Sequence, residues 1–263
     1  MSLIASLPDI DRKPRSVYVM HEKSEKHIPV HRHKKGQLSY VEGGLAYLKV
    51  KSKTYVIPAR HYFWVPAGLE HVLTVGHSGT VLRSIFFYTY DDDKDPFYQQ
   101  LGIYPISDLL LQMIKYSEKW ERHITYQDSG YAFLSNIKNL LPEISQRVLP
   151  TALPSTENKR MREIMKYIDV NISEGHSLQS VSSRFGLSER SLSRLFQSTL
   201  GISFLQYLKL LRMVKAFEMM LESRYSMSEI AYFVGYQSIS AFSNAFYQFT
   251  NFRPSDFKYR QAH

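Results

Sequence analysis

Apolar and polar residues alternate in several short runs between residues 16 and 90. The clearest runs cover residues 16–20, 37–41, 45–50 and 81–87, and they are rich in valine, leucine and tyrosine. Successive side chains of a strand point to opposite faces, so this alternation predicts β-strands. Gly43-Gly44 and the stretch 51–53 lie between runs where hairpin turns are expected. Many short strands at this spacing predict a small β-barrel.

Two later segments follow a helical period instead. Pro142 falls inside the second segment, where we expect it to kink or break the helix. The pattern predicts helices between about residues 105 and 149, which either cover the barrel or associate with another subunit. Residues 150–157 contain two prolines and predict an extended linker. The apolar stripes are Ile106, Leu109, Leu110, Met113 and Ile114, and then Phe133, Leu134, Ile137, Leu140, Leu141 and Ile144.

The last third of the chain contains one apolar pattern twice. It runs over residues 177–196 and again over residues 226–246, and Gly186 and Gly235 interrupt the helical period at matching places. A chain that leaves one helix for a tight turn often needs a positive φ, which glycine adopts without penalty. Each copy therefore predicts a helix-turn-helix. Between the copies, an apolar stripe from Phe204 to Leu221 predicts one long connecting helix that acts as a rigid spacer.

Residues 158–260 resemble the paired DNA-binding domain of the AraC/XylS family of transcription regulators. The resemblance includes both helix-turn-helix patterns and the ending from Phe246 to Arg260. This ending departs from the family at three positions: Asn251 replaces a glycine, Arg253 a small residue before proline, and Lys258 an arginine. Because asparagine tolerates left-handed backbone, we expect the fold to survive. The resemblance implies an α-helical domain that binds double-stranded DNA sequence-specifically.

The second helix of each helix-turn-helix unit should carry the DNA contacts, because this helix enters the major groove. Arg190 and Arg194 can each grip a guanine with two hydrogen bonds. Asn244 stands where family members commonly have an arginine, so we expect weaker, A·T-leaning readout in the second unit. The alternative is that these helices mainly position contacts to the DNA backbone. The candidate DNA-binding residues are Glu189, Arg190, Ser193, Arg194, Ile239, Ser240, Ser243 and Asn244.

Residues 31–37 and 66–71 resemble the two motifs of cupins, a β-barrel fold that AraC-type regulators often carry in front of their DNA-binding domain. In metal-binding cupins the matching positions hold two histidines, a carboxylate and a third histidine, a set that suits a divalent transition metal. Gln37 occupies the carboxylate position and brings no charge. We therefore expect no cofactor and interpret the site as one that binds a small-molecule effector by hydrogen bonds. The candidate effector-binding residues are His31, His33, Gln37 and His71, and the alternative metal ligands are His31, His33 and His71.

These patterns predict an α+β protein of two domains. The N-terminal domain, residues 1–149, is expected to be a cupin-like effector-binding and dimerisation domain. Its barrel covers about residues 16–90 and its helical extension about residues 105–149. The linker covers residues 150–157, and the all-α domain with two helix-turn-helix units covers residues 158–263.

The composition is compatible with a DNA-binding protein. A formal net charge of +9 favours a polyanionic partner. We interpret Arg32, Lys34, Lys35 and Arg83 as solvated surface charges, with an anionic effector as the alternative. The absence of cysteine excludes disulfides and thiolate-bound zinc and suits a reducing cytosol. The first residues lack the features of a secretion signal and no stretch approaches a membrane span, so we expect a cytoplasmic protein with no membrane partner.

The leading interpretation is a ligand-responsive transcription regulator and not an enzyme. An effector in the barrel would change how subunits or domains are arranged, and thereby DNA affinity or recruitment of RNA polymerase. The family resemblance implies that the helices after the barrel pair two subunits, and a homodimer would match repeated DNA half-sites. One alternative is a metal-dependent cupin enzyme whose helical tail serves assembly. Another is a constitutive DNA-binding protein with a degenerate sensor domain.

Overall fold

The computed structural model describes residues 3–23, 27–51, 53–75, 80–146, 152–222, 224–250 and 252–255. The chain divides into two compact units, one comprising residues 1–51 and 55–151 and the other residues 52–54 and 152–263. The first unit is rich in strands and the second in helices, so the predicted α+β layout with two domains is confirmed. Of the predicted linker, residues 150 and 151 lie outside the described residues.

The N-terminal unit contains ten strands and three α-helices among its described residues. Short 3₁₀ turns at Asp92–Lys94, Pro96–Gln99 and Ser117–Lys119 connect some of them. The elements are α1 (Leu3–Ile10), β1 (Val17–Lys23), β2 (His27–His31), β3 (Gly36–Glu42), β4 (Leu45–Val50), β5 (Lys53–Pro58), β6 (His61–Val65), β7 (His71–Val75), β8 (Val81–Phe87), β9 (Gly102–Pro105), α2 (Asp108–Tyr116), β10 (Arg122–Ile124) and α3 (Tyr131–Ile144).

The strands form two separate sheets. One sheet has the order β10-β1-β8-β3-β6-β9, and in the other β5, β4, β7 and β2 lie side by side. The prediction of a barrel is therefore wrong, because the described strands do not close into a single sheet. Alternation of side chains predicts strands, but closure also requires matched strand tilt and stagger around the whole ladder. In β2 the register with β7 shifts between Ile28 and His31, and Pro29 has no N–H to donate.

Helices α2 and α3 cover the outer face of the six-stranded sheet. Leu38 and Ile85 on the sheet share one buried cluster with Leu110 and Ile114 on α2 and with Ile137 on α3. Because the other face of this sheet is also buried, all of β6 and nearly all of β3 are inaccessible to solvent. Of the two roles expected for these helices, covering the strands is thus confirmed.

Helix α3 continues through Pro142 to Ile144, so the expected break does not occur. The physical reason is the position of this proline near the end of the helix, where the missing N–H removes one hydrogen bond of the last turn. Ile106, which belongs to the predicted stripe of α2, is buried just before that helix begins at Asp108.

The C-terminal unit is a set of short helices arranged around one long helix. Gly186 and Gly235 have φ values of 61° and 86°, as their predicted place in the turns requires. Ser182 and Ala231 are buried where the helices of each unit approach each other. The elements are β11 (Ala152–Pro154), α4 (Lys159–Val170), α5 (Leu178–Arg184), α6 (Glu189–Leu200), α7 (Phe204–Leu221), α8 (Met227–Phe233) and α9 (Ile239–Thr250).

Helix α7 contacts the second helix of both helix-turn-helix units. Tyr207 packs on Phe196 of α6 with ring centres 5.6 Å apart, and Phe217 packs on Phe246 of α9 at 5.0 Å. More residues of α7 are buried than the single stripe read from the sequence, since both ends of the helix have packing partners. None of the helices in the described part of the chain is both long and apolar enough to cross a bilayer.

Candidate functional sites

Helix α6 presents the first set of candidate DNA-binding residues to solvent. Ser188 caps the helix by accepting a hydrogen bond from the backbone N–H of Ser191 at 3.1 Å. Leu192, Phe196 and Leu200 anchor the opposite face in the core. This leaves the first turns of α6 open on the side that a DNA groove would meet. Glu189, Arg190, Ser193 and Arg194 are all exposed.

Helix α9 presents the corresponding residues of the second unit. Phe242, Phe246 and Phe249 face the core, while Ile239, Ser240 and Asn244 are exposed and Ser243 is half-buried. The twelve residues of α9 include no charged side chain. We call the exposed face of α6 or α9 that carries candidate DNA-binding residues its reading face. The two reading faces differ chemically, because α6 carries Arg190 and Arg194 and α9 carries only neutral groups.

The three predicted histidines of the N-terminal unit come together in space. His31 ends β2, His71 begins β7, and the two residues are paired across these strands. His33 lies in the connection from β2 to β3. The ring centres are 4.2 Å apart for His31 and His71 and 5.4 Å apart for His33 and His71. One nitrogen atom of each ring can be chosen so that the three atoms all lie within 4.8 Å of one another. All three histidines are buried.

The hydrogen bonds of the three rings define their tautomers. Each Nδ1 atom lies against a backbone carbonyl oxygen, that of Pro29, Lys35 or Leu69, at 2.8, 2.5 and 2.9 Å respectively. A carbonyl oxygen only accepts, so each neutral ring carries its proton on Nδ1 and keeps a lone pair on Nε2. The Nε2 atoms of His31 and His71 are buried without a hydrogen-bond partner among the described residues. Both are therefore poised to accept a donor or to bind a cation.

Burial keeps these imidazoles neutral. Loss of contact with water lowers the pKa of His31 and His33, and it lowers the pKa of His71 to about 3. The neighbouring ring of His31 further lowers the pKa of His71, because two imidazolium ions at this distance would repel each other. The cluster thus offers neutral acceptors at neutral pH.

Gln37 holds the third ring. In the structure its Oε1 lies 2.9 Å from Nε2 of His33, and its Nε2 donates to Oγ of Ser39 at 2.8 Å. Oγ of Ser39 in turn lies 2.7 Å from Oγ of Ser84. Since Nε2 of the neutral His33 ring holds a lone pair, an amide oxygen beside it would be repelled, and we infer that the amide is turned by 180° so that its N–H₂ donates to His33. With the amide oxygen then accepting from Ser39, every member of this buried chain is satisfied. Gln37 therefore occupies the lone pair of His33.

Lys35 is a feature that sequence reasoning missed. It was interpreted as a surface charge, but only 1% of it is exposed. Its Nζ donates to the carbonyl oxygens of Lys13, Pro14 and Ser16 at 2.9, 3.2 and 2.5 Å. Burial lowers the pKa of Lys35 to about 8. Because a lysine before a glycine in a turn ordinarily lies in water, only the three-dimensional fold reveals this role.

Arg83 is a second such correction. Its side chain is 15% exposed and forms ion pairs with Glu42 and Glu118. Lys34, in contrast, is exposed as expected. The guanidinium of Arg83 is thus engaged by carboxylates and is not a solvated charge.

Paired helix-turn-helix units with exposed arginines, together with a strand-rich unit that contains a buried polar cluster, define a DNA-binding protein with its own ligand-binding domain. Family models describe the same two parts: residues 17–89 match the AraC-like ligand binding domain, and residues 181–260 match a helix-turn-helix domain. The two matches together span more than half of the chain. This chain belongs to the AraC family of transcription regulators and combines a ligand-binding domain with a helix-turn-helix DNA-binding domain.

Individual relatives are also transcription regulators. The HTH-type transcriptional regulator NimR of Escherichia coli is 24% identical over 218 residues, which cover 83% of this chain and 77% of NimR. The regulatory protein PocR of Salmonella typhimurium is 30% identical over 44% of this chain and 39% of its own length. Among solved structures, ToxT of Vibrio cholerae aligns over 92% of this chain and 97% of its own, with 15% identity and a TM-score of 0.38.

Proposed function

We propose that a small organic effector binds at the histidine cluster and modulates DNA binding or transcription activation by this regulator. The observation that carries the proposal is the pair of buried Nε2 lone pairs on His31 and His71. Leaving such acceptors unmet costs free energy, roughly 1–3 kcal/mol for each group. A ligand that supplies N–H or O–H donors recovers this free energy on binding. The effector class that fits is therefore a small molecule with at least two donors, such as a diol, a primary amide or an amine.

The effector site we propose consists of His31, His33, Gln37 and His71. Gln37 orients His33 through its amide and is linked to Ser39 and Ser84. A ligand that reaches the cluster would exchange hydrogen-bond partners with the amide of Gln37 and the hydroxyls of Ser39 and Ser84. No polar atom would then be left unsatisfied. Through such an exchange, occupancy of the site would change the packing between neighbouring strands.

The DNA contacts we propose are made by the exposed residues of α6 and α9. Arg190 and Arg194 would read guanine or grip phosphate in the first half-site, and the neutral residues of α9 would meet the second. An effector would then act on DNA affinity or on recruitment of RNA polymerase. We place this activity in the cytoplasm.

We also propose that the protein is a homodimer that pairs through α2 and α3. Leu109 and Tyr116 are 59% and 55% exposed although both belong to helices that cover the core. With Gln112, Met113 and Phe133 they line one open apolar groove. A second copy of the same groove is a suitable occupant, because a two-fold interface presents the same surface on both subunits. Two copies also match repeated DNA half-sites.

A metal ion is the alternative occupant of the cluster, and the observation that favours it is the convergence of three imidazoles within 4.8 Å. Each Nδ1 donates to a carbonyl, as metal-bound histidines commonly do. The set fits incompletely, however, because the amide of Gln37 occupies the lone pair of His33 and supplies no charge. Metal analysis of protein purified without chelators separates the readings: stoichiometric tight metal would contradict the organic-effector proposal.

Ligand screening by thermal unfolding tests the effector proposal, since a ligand that binds only the folded protein raises the melting temperature. Donor-bearing metabolites should stabilise the wild type and lose their effect in His71→Phe. Any hit must bind more tightly, or more weakly, in the presence of operator DNA by the same factor by which it changes DNA affinity. Equal affinity with and without operator would contradict modulation of DNA binding and favour a constitutive DNA binder.

A further inference from the structure

The second helix-turn-helix unit has a shortage of positive charge on its reading face. DNA binding depends strongly on neutralising phosphates with lysine and arginine. Helix α6 meets this need with Arg190 and Arg194, but α9 has no charged residue along its twelve positions. Any cation that contacts the second half-site must therefore come from another segment.

Arg253, three residues after the end of α9, folds back onto the reading face of that helix. Its Nη1 atom lies 3.3 Å from Oγ of Ser243 and 3.2 Å from Oδ1 of Asn244. Its guanidinium carbon lies 4.8 Å from the centre of the Tyr247 ring, close enough for a cation–π interaction. Arg253 is itself exposed. The side chain thus places a positive charge beside two of the candidate DNA-binding residues.

The turn that brings Arg253 into place is held by a buried threonine. Oγ1 of Thr250 donates to the carbonyl oxygen of Phe246 at 2.9 Å and accepts from the backbone N–H of Phe252 at 3.1 Å. Thr250 is 2% exposed. The end of α9 and the backbone just before Arg253 are therefore tied together, and the return of the arginine is built into the turn.

We propose that Arg253 is the DNA-contacting cation of the second unit and that Ser243 and Asn244 position it. The ligand is an acceptor oxygen or nitrogen of the duplex, and a guanidinium recognises both phosphate oxygens and the O6 and N7 atoms of guanine. Asn244 then serves as an anchor for an arginine supplied by the neighbouring turn. The proposal rests on the placement of the α9 face against DNA that is proposed above.

The test measures the affinity of the full-length protein for a duplex selected by the wild type, at several salt concentrations. We expect Arg253→Ala to weaken binding about tenfold and to reduce the slope of log affinity against log salt by about one. Uniform weakening over all sequences would identify a phosphate contact, and loss of preference at one base pair would identify a guanine contact. Arg224→Ala is the matched control, because Arg224 is an exposed arginine of the same unit that pairs with Glu222.

Two further variants keep the test valid if the alanine variant is destabilised. Arg253→Gln retains hydrogen-bonding groups but removes the charge, and Arg253→Lys retains the charge. We expect the glutamine variant to lose the salt-dependent contribution and the lysine variant to keep most of it. Wild-type affinity and salt slope in Arg253→Gln, alongside weakened binding by Arg194→Ala, would overturn this proposal alone. Failure of the wild type to prefer any duplex would instead overturn the DNA-binding proposal itself.

Discussion

His31 and His71 face each other across strands β2 and β7 with ring centres 4.2 Å apart, and each leaves a buried Nε2 lone pair without a hydrogen-bond partner among the described residues. Two buried acceptors that share one space are costly to maintain in a protein without a ligand. The effector proposed above would supply hydrogen-bond donors to both acceptors.

Acidification should destabilise the N-terminal unit. A histidine in the unfolded chain has a pKa of about 6.5, whereas burial lowers the pKa of His61 to about 4 and that of His71 to about 3. Below about pH 6.5 the unfolded chain binds protons that the folded chain does not, so stability decreases as the pH falls from about 6.5 toward the folded-state pKa values of about 4 and about 3. Thermal unfolding across this range should show the decrease. His71→Gln removes one such group and should show a shallower dependence, and an unchanged dependence would contradict neutral burial of His71.

Gln37→Glu should create a divalent metal site. The substitution replaces an amide that occupies Nε2 of His33 with a carboxylate that can bind a cation, and it completes a set of three histidines and one acid. We expect affinity for cobalt or zinc to rise by about tenfold or more. Cobalt absorption spectra report the coordination directly. Gln37→Ala frees the same nitrogen without adding charge and is the control. Metal affinity equal in Gln37→Glu and the wild type would show that Gln37 is not what limits metal binding.

Arg194→Ala should weaken specific DNA binding by roughly 1–3 kcal/mol. Arg194 is exposed on α6 while the opposite face of that helix is buried, so the fold and the oligomeric state should be retained. Titration of a selected duplex by fluorescence anisotropy gives the affinity, and circular dichroism monitors the fold. Unchanged affinity would mean that another face of α6 meets the groove.

The sequence contained enough local information to predict the two helix-turn-helix units. Glycines with positive φ, serine caps and the apolar period lie within a few residues of the helices they define, so Gly186, Ser188 and Leu192 were all interpretable in advance. Burial of Lys35 was not, because its three carbonyl partners come from residues some twenty positions earlier. The open sheets were missed for a similar reason, since closure depends on strands that are distant in sequence.

In the histidine cluster, some features could be predicted from local sequence and others depend on strands that are distant in sequence. The motif spacing identified His31, His33 and His71, and the fold brings them together. The role of Gln37 could only be partly anticipated: its lack of charge was evident, but its hydrogen bonds to Ser39 and onward to Ser84 connect β3 to β8. A prediction made from one sequence motif cannot show which side chains of two distant strands are hydrogen-bonded to each other.

Leu109→Glu should shift the protein from dimer to monomer. Leu109 is 59% exposed in the apolar groove of α2 and α3, and a buried carboxylate at a two-fold interface would be desolvated without a partner. Analytical ultracentrifugation reports the association state. Leu205→Glu is the matched control, because Leu205 is 70% exposed on α7 in the other unit. Equal association of the two variants would place the dimer contact elsewhere.

Selection of bound fragments from a pool of random duplexes is the most direct test of the central claim, that this chain reads DNA through α6 and α9. The wild-type protein is predicted to enrich one motif with two half-sites, and Arg194→Ala to lose preference at positions within the half-site that α6 meets while the other half-site is retained. Recovery of unenriched DNA at moderate ionic strength, with and without ligands that stabilise the protein, would contradict the account.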